Sequence, residues 1–166
     1  KKDPLSILSD FYRSFVALWR DPQGQVSLSV TTLFWGAGAT LRLVVIAWAG
    51  VALGFSLDSA TQITAVVALG VALGSIIAAK FITLENSVKV LPAGIYMGFL
   101  VMLMAGVTNS YLAIFLLLVI GILSGYFVVP LNALLQHRGH ILIGAGHSIA
   151  VQNFNENLGI LLLSGA

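Results

Sequence analysis

Two hydrophobic patterns follow one another along this chain. In the first twenty residues Leu5, Leu8, Phe11, Tyr12, Phe15, Leu18 and Trp19 recur at steps of three and four, with Asp3-Pro4 ahead of them. That spacing predicts an amphipathic helix, opened by an Asp N-cap and a Pro in its first turn. Asp21-Pro22 repeats the cap signal, and beyond it the apolar runs become long and continuous: Val26–Phe55, Ile63–Ile82, Val88–Val107, Tyr111–Leu135 and Ala145–Ala166. A hydrocarbon core of about 30 Å is crossed by roughly 20 mostly apolar residues in a helix, so four runs are long enough and the fifth is not clearly completed. The runs do not alternate, and inside lipid every backbone N–H and C=O must be satisfied within the segment, which favours helices over a barrel. The expected fold is all-α, a polytopic transmembrane helical bundle over residues 21–166, preceded by a cytoplasmic linker helix over residues 1–20. With Arg13 and Arg20 near its polar flank that linker suits the inner membrane surface; packing against cytoplasmic loops suits the same pattern.

Composition narrows the class further. Hydrophobic residues make up 58% of the chain and charged residues 8%, with a mean hydropathy of +1.00, against about 25% charged in a soluble domain. The absence of cysteine excludes disulfides and thiolate metal sites. Lys1, Lys2, Arg13 and Arg20 precede the first run, Lys80 and Lys89 flank the turn between the second and third, and Arg138 lies between the fourth and fifth. The turns around Asp58 and Asn109 carry no basic residue, so the positive-inside rule makes the other side cytoplasmic. The net charge of +2 is thereby a topology signal and calls for no nucleic acid. Without an initiator Met or a cleavable signal, and ending while still apolar, the chain reads as an excerpt with helices expected on both sides. Ser87 is positioned to cap the third run ahead of Pro92, and Pro130 to kink the fourth. Gly50/Gly54, Gly70/Gly74, Gly94/Gly98 and Gly121/Gly125 have the small-xxx-small spacing of close helix packing.

Polar residues inside the runs carry the candidate chemistry. Arg42 interrupts an apolar stretch, and a charge at such a depth costs about 2.5–3.5 kcal/mol on insertion scales, so it marks a protein interior or a polar path. Thr31, Trp35, Gly38 and Arg42 share one helix face, which suits the lining of a cavity. On the fifth run Gln152, Asn153 and Glu156 share another, and Glu156 is the acidic residue within a run. Two readings follow: an Arg42–Glu156 ion pair between helices, or a site for a ligand with a phosphate or zwitterionic head. His137, His140 and His147 lack the HExxH pattern, the first two being expected in a polar turn, and no metal site is assigned. Gly144-Ala145-Gly146 lacks the GK[ST] and the strand of a phosphate loop. No catalytic Ser/His/acid set is visible, and Glu85 with Lys80 and Lys89 reads as a loop cluster.

TLFWGAGATLR at 32–42, AAKFITLE at 78–85, LPAGI at 91–95, FVVPLNALLQHRG at 127–139 and GAGHSIAVQNFNEN at 144–157 closely resemble the bacterial lysophospholipid transporters, within the major facilitator superfamily. The resemblance implies the C-terminal half of that superfamily's fold: the central linker, helices seven to ten and part of eleven of a twelve-helix inner-membrane protein whose N-terminal six-helix half is absent. It implies a cargo of lysophospholipids such as lysophosphatidylethanolamine, moved to the cytoplasmic leaflet for reacylation by an acyltransferase/acyl-acyl-carrier-protein synthetase, with no cofactor and no enzymatic activity. Carried over residue by residue, it makes Arg42 and Glu156 central-cavity charges with Gln152, Asn153 and Trp35 beside them, Asn132 a lining residue, and Lys80 and Glu85 a gating pair. Arg42 then meets the phosphate with its fork and Glu156 the ammonium. A lipid cargo also implies access sideways from the bilayer, which needs close but separable helix faces, with the glycine-rich faces of the first, second and fourth runs as the seams. A carrier for another amphipathic or polar solute, or a non-transporting membrane scaffold, are the competing readings.

Overall fold

The computed structural model describes residues 4–165, so Lys1, Lys2, the Asp3 cap and Ala166 lie outside the described residues. Six α-helices follow in order: α1 (Pro4–Arg20), α2 (Pro22–Leu53), α3 (Leu57–Phe81), α4 (Leu91–Met104), α5 (Ser110–Ile143) and α6 (Ala145–Ser164), with a 3-10 helix over Leu84–Val90 ahead of α4. No strand occurs among the described residues. Four segments, α2, α3, Leu84–Met104 and α5, are long and apolar enough to cross a membrane. The protein is an all-α polytopic membrane bundle. Polar α6, with Gln152, Asn153, Asn155, Glu156 and Asn157 in its middle, is not one of the four.

Local chemistry explains the helix ends. The Asp21 carboxylate accepts the Gly24 N–H at 2.8 Å at the start of α2, Ser56 Oγ accepts the Ser59 N–H at 3.3 Å before α3, and Asn109 Oδ1 accepts the Leu112 N–H at 3.0 Å before α5. Each satisfies one donor that a first turn leaves without a partner. Gly54 and Gly144 stand at φ 68° and 82°, the left-handed region that glycine enters at least cost, and they end α2 and α5.

Two expectations need correction. His137, Arg138 and His140 are not in a turn: α5 continues through them to Ile143, because its first breaker is Gly144. Ser87 does not cap α4; its hydroxyl donates to the Thr83 carbonyl at 3.4 Å within the 3-10 helix, and Val90 stands at the N-cap without a side-chain bond.

The chain forms two compact units, one from residues up to Ala39 and from Leu131 onward, the other from Thr40 to Pro130. In the second unit Ala49, Ala60, Ile63, Met104 and Leu117 form the core, with Trp48 and Val67 against it. There α3 meets α5 glycine to glycine. A Cβ on Gly70 would stand 2.9 Å from the Gly121 Cα, one on Gly74 would meet the Ile122 carbonyl oxygen and, at 2.9 Å, the Tyr126 nitrogen, and one on Gly125 would stand 2.8 Å from the Ser75 nitrogen. Gly70/Gly74 and Gly121/Gly125 are therefore two sides of one backbone contact. Gly94 instead faces the Phe127 ring, and Gly98 has open space. A side chain at Gly74 or Gly121 would therefore meet backbone inside a single unit.

In the first unit Leu18, Leu28, Leu135 and Val151 are buried together, flanked by Phe11, Phe15, Trp19 and Ile143. Phe154 of α6 sets its ring edge-on to Phe11 and Phe15, with centroids 5.4 and 6.2 Å away. The aromatic face of α1 is thus taken by α6, while Leu8 and Tyr12 stay exposed. α2 and α6 close on each other at Gly36 and Gly159, where a Cβ on Gly36 would lie 2.7 Å from the Gly159 carbonyl oxygen. This interior is unusually polar, burying Ser14, Ser27, Thr31, Ser148, Gln152 and Asn155. Several are satisfied on their own helix: Ser27 Oγ donates to the Gln23 carbonyl at 2.7 Å, Thr31 to that of Leu28 at 3.2 Å and the Asn155 amide to that of Val151 at 2.8 Å.

Candidate functional site

Gln152 is the centre of a polar side-chain network that joins two helices of the first unit within an apolar run. Its Nε2 donates to Asn132 Oδ1 on α5 at 3.1 Å and to Glu156 Oε1, one turn further along α6, at 2.7 Å. Both amide hydrogens are spent, and Gln152 is buried while Asn132 and Glu156 are half-buried. What remain are two acceptors, the Gln152 carbonyl oxygen and the second Glu156 oxygen, and the N–H donors of the Asn132 amide. Such a set accepts from an ammonium or hydroxyls at its Glu156 end and donates only through Asn132. Packing alone would be served better by apolar side chains, because a carboxylate drawn from water is costly unless paired. Asn132 lies two residues after Pro130, whose place inside α5 leaves one backbone carbonyl without its usual N–H.

The other expected site residues are dispersed. Asn153 is exposed and off the network, its carbonyl accepting the Asn157 amide at 2.7 Å. Trp35 is exposed with its ring edge-on to Phe34 at 5.6 Å. The α2 face changes character along its length: Thr31 is fully buried, whereas Gly38 and Arg42 are exposed. Arg42, in the second unit, has no hydrogen-bond or ion-pair partner among the described residues. Lys80 and Glu85 are exposed and form no ion pair with each other; the Lys80 ammonium stands 5.6 Å from the Phe81 ring centroid. Among the described residues no three His, Asp or Glu side chains gather as a metal site.

Sequence reasoning missed one ion pair. Arg138, read as a topology marker, donates through Nε to Asp21 Oδ2 at 3.0 Å and through its second terminal nitrogen to Oδ1, a two-pronged contact across 117 positions. No short-range signal announces it. Asp21 both caps α2 and ties it to the end of α5, and the Arg138 fork, with the Gly24 N–H, holds its carboxyl below the usual range against the opposing effect of burial. A depressed folded-state value means stability that is present above the unfolded pKa of about 3.9 and lost as pH falls through the folded one. Asp21→Asn keeps a cap but loses the charge, and is expected to lower the unfolding temperature at pH 7. Thermal unfolding of the full-length protein checks this: the gap between wild type and variant should hold from pH 8 to 5 and narrow below about pH 4.

The fold and network define a polytopic α-helical membrane protein with a Gln152-centred polar network between two of its helices. Comparison with known proteins narrows that class. The chain is 49% identical to the lysophospholipid transporter LplT of Serratia proteamaculans (strain 568), over 98% of the chain and 41% of that protein. It is 46% identical to LplT of Yersinia enterocolitica and 44% identical to LplT of Yersinia pestis (strain Pestoides F), in each case over 98% of the chain and 40% of the relative. The chain is thus similar over nearly all of its own length to proteins named as lysophospholipid transporters, and it spans about two fifths of the length of these curated relatives. No protein-family model and no solved structure matches it.

Proposed function

We propose that the full-length protein moves lysophospholipids across the bacterial inner membrane to the cytoplasmic leaflet, and that this chain works as the C-terminal half of a major facilitator fold. The observation that carries the reading is the 46–49% identity, over 98% of the chain, to proteins named for that cargo. The chemistry supports it. Glu156, held by Gln152, suits the ammonium of an ethanolamine head, and Arg42 offers a two-pronged cation for a phosphate. Asn132 orients Gln152, Trp35 and Asn153 are secondary lining residues, and Lys80 with Glu85 acts at the cytoplasmic gate. The apolar acyl chain travels along the bilayer, so access is sideways between helices, through a seam other than the α3–α5 backbone contact. Alternating exposure of the site to the two leaflets completes the cycle. The delivered lysolipid is then a substrate for a cytoplasmic acyltransferase/acyl-acyl-carrier-protein synthetase; the protein itself does no catalysis.

Binding by purified full-length protein, compared across lysophospholipids, diacyl phospholipids and sugars, tests the cargo. Saturable binding of the lysolipids alone is expected; preferential binding of a sugar, or of none of the three, overturns it. Orientation is tested separately by reporter tags. Tags beside Lys80 and Arg138 are expected to report cytoplasm and one beside Asn109 periplasm, and reversal at any of them breaks the assignment.

A further inference from the structure

Asp21 alone separates α1 from α2, and its carboxylate is fixed to α2 by the Gly24 N–H and to α5 by Arg138. The pivot of α1 therefore stays with its neighbours even when α1 turns about it. At the pivot a Cβ on Gly24 would stand 2.6 Å from the Leu18 carbonyl oxygen, so the fold-back of α1 depends on glycine there. From the pivot α1 runs along α6 until Phe11 and Phe15 meet the Phe154 ring edge-on, a position that lies about 14 Å along α6 from its start. Around α1, at about 100° per residue, Phe11, Phe15 and Leu18 form this seated strip, Leu8, Tyr12 and Trp19 form a second apolar strip beside it, and Arg13 and Arg20 come next. Leu8, Tyr12 and both arginines are exposed. Half of the apolar arc is thus unused.

The seat on α6 is also weakly held. Where lipid is the alternative neighbour, moving apolar rings onto another helix brings no hydrophobic gain, and packing alone retains them. Two edge-to-face ring contacts are of the same order as the cost of one buried donor without an acceptor, and Trp19 Nε1 is such a donor while α1 is seated. Turned by one strip, the helix has Leu8, Tyr12 and Trp19 inward with the indole N–H and the phenol at headgroup level, and Arg13 and Arg20 toward anionic lipid, the pattern of a helix lying in the interface. We propose that α1 is a strap with two positions, one seated on α6 as observed and one laid on the inner face of the bilayer through Leu8, Tyr12 and Trp19. Phe154 lies on the far side of α6 from Gln152 and Glu156, so the seated strap backs the helix that carries the polar network and the lifted strap frees it to move. The inner-leaflet placement and the link to transport rest on the function and orientation proposed above; the two positions of α1 do not.

The test uses spin labels on Ser9→Cys and Leu161→Cys, both exposed, in the full-length protein placed in nanodiscs of zwitterionic lipid with or without phosphatidylglycerol. Two label separations are expected, and anionic lipid should raise the ratio of lifted to seated strap about fivefold or more, the effect of one arginine at a charged surface. Phe154→Ala and Gly24→Ala should each favour the lifted distance, the first by removing the seat and the second by closing the corner to the fold-back; Arg13→Gln with Arg20→Gln should abolish the response to phosphatidylglycerol. A single distance that neither Phe154→Ala nor anionic lipid alters, in protein that unfolds at the wild-type temperature, would overturn the two positions. Arg13 and His147 border the same depression between α1 and α6, so Arg13→Cys with His147→Cys and a cleavable thiol cross-linker locks the strap down. Locking is expected to slow lysophospholipid transport about tenfold or more, with recovery on cleavage; full transport by the locked protein would overturn the link between strap and transport. The distances need no cargo, so failure of the strap and failure of the cargo assignment are told apart.

Discussion

Gly74→Leu is expected to remove the full-length protein from the membrane, lowering its abundance about tenfold or more. A Cβ at that position would meet the Ile122 carbonyl oxygen and stand 2.9 Å from the Tyr126 nitrogen, so α3 and α5 must separate to admit any side chain. Overpacking against side chains costs typically about 1–3 kcal/mol because rotamers can adjust. Backbone cannot adjust in that way, and separating the helices also forfeits the Gly70–Gly121 and Gly125–Ser75 approaches on either side. Against a total stability of roughly 5–15 kcal/mol the loss is large. Gly98→Leu is the control, since a Cβ there has nothing within 4 Å. Membrane abundance by immunoblot and thermal unfolding of whatever remains decide the matter. A Gly74→Leu protein at wild-type abundance and unfolding temperature, but slow in transport, would restore the idea of a seam that opens.

Gln152→Leu is expected to slow lysophospholipid transport at least tenfold while leaving most of the protein in the membrane. The substitution nearly preserves volume and removes both donors, leaving Asn132 Oδ1 and Glu156 Oε1 without partners; each such loss costs about 1–3 kcal/mol, and 1.4 kcal/mol is a factor of ten. Gln152→Glu, which keeps the shape but places a second carboxylate beside Glu156, should be at least as harmful. Arg42→Lys is expected to slow transport with little change in abundance, because the charge survives and the two-pronged geometry does not. Transport rates in proteoliposomes, normalised to inserted protein, read these effects. Normal rates in Gln152→Leu would sink the role of the network, and full rescue by Arg42→Glu combined with Glu156→Arg would favour a scaffold pair over a binding role.

How far the chain's residues announce its fold depends on the range of the interaction. The apolar runs, the Asp21 and Asn109 caps and the breaks at Gly54 and Gly144 act within a few residues, so helix number and order follow from sequence alone. The reach of α5 past His137 and His140 was less legible, since polar residues near a helix end resemble a loop unless a breaker is located. At the site, one-turn spacing was enough to join Gln152 with Glu156, and Asn132 was marked by its place after Pro130. The bond from Gln152 to Asn132 and the exposure of Asn153 needed α5 beside α6. By itself the sequence determined an all-α membrane chain and its polar intrusions, because hydrophobic period and capping are properties of neighbouring residues. Only the tertiary structure decided that Asp21 holds Arg138, that two of the four glycine pairs form one backbone contact, and that α1 spends its aromatic face on Phe154. Those depend on which helix surfaces meet across dozens of residues, and a glycine or an arginine has the same local appearance whether or not a partner stands opposite.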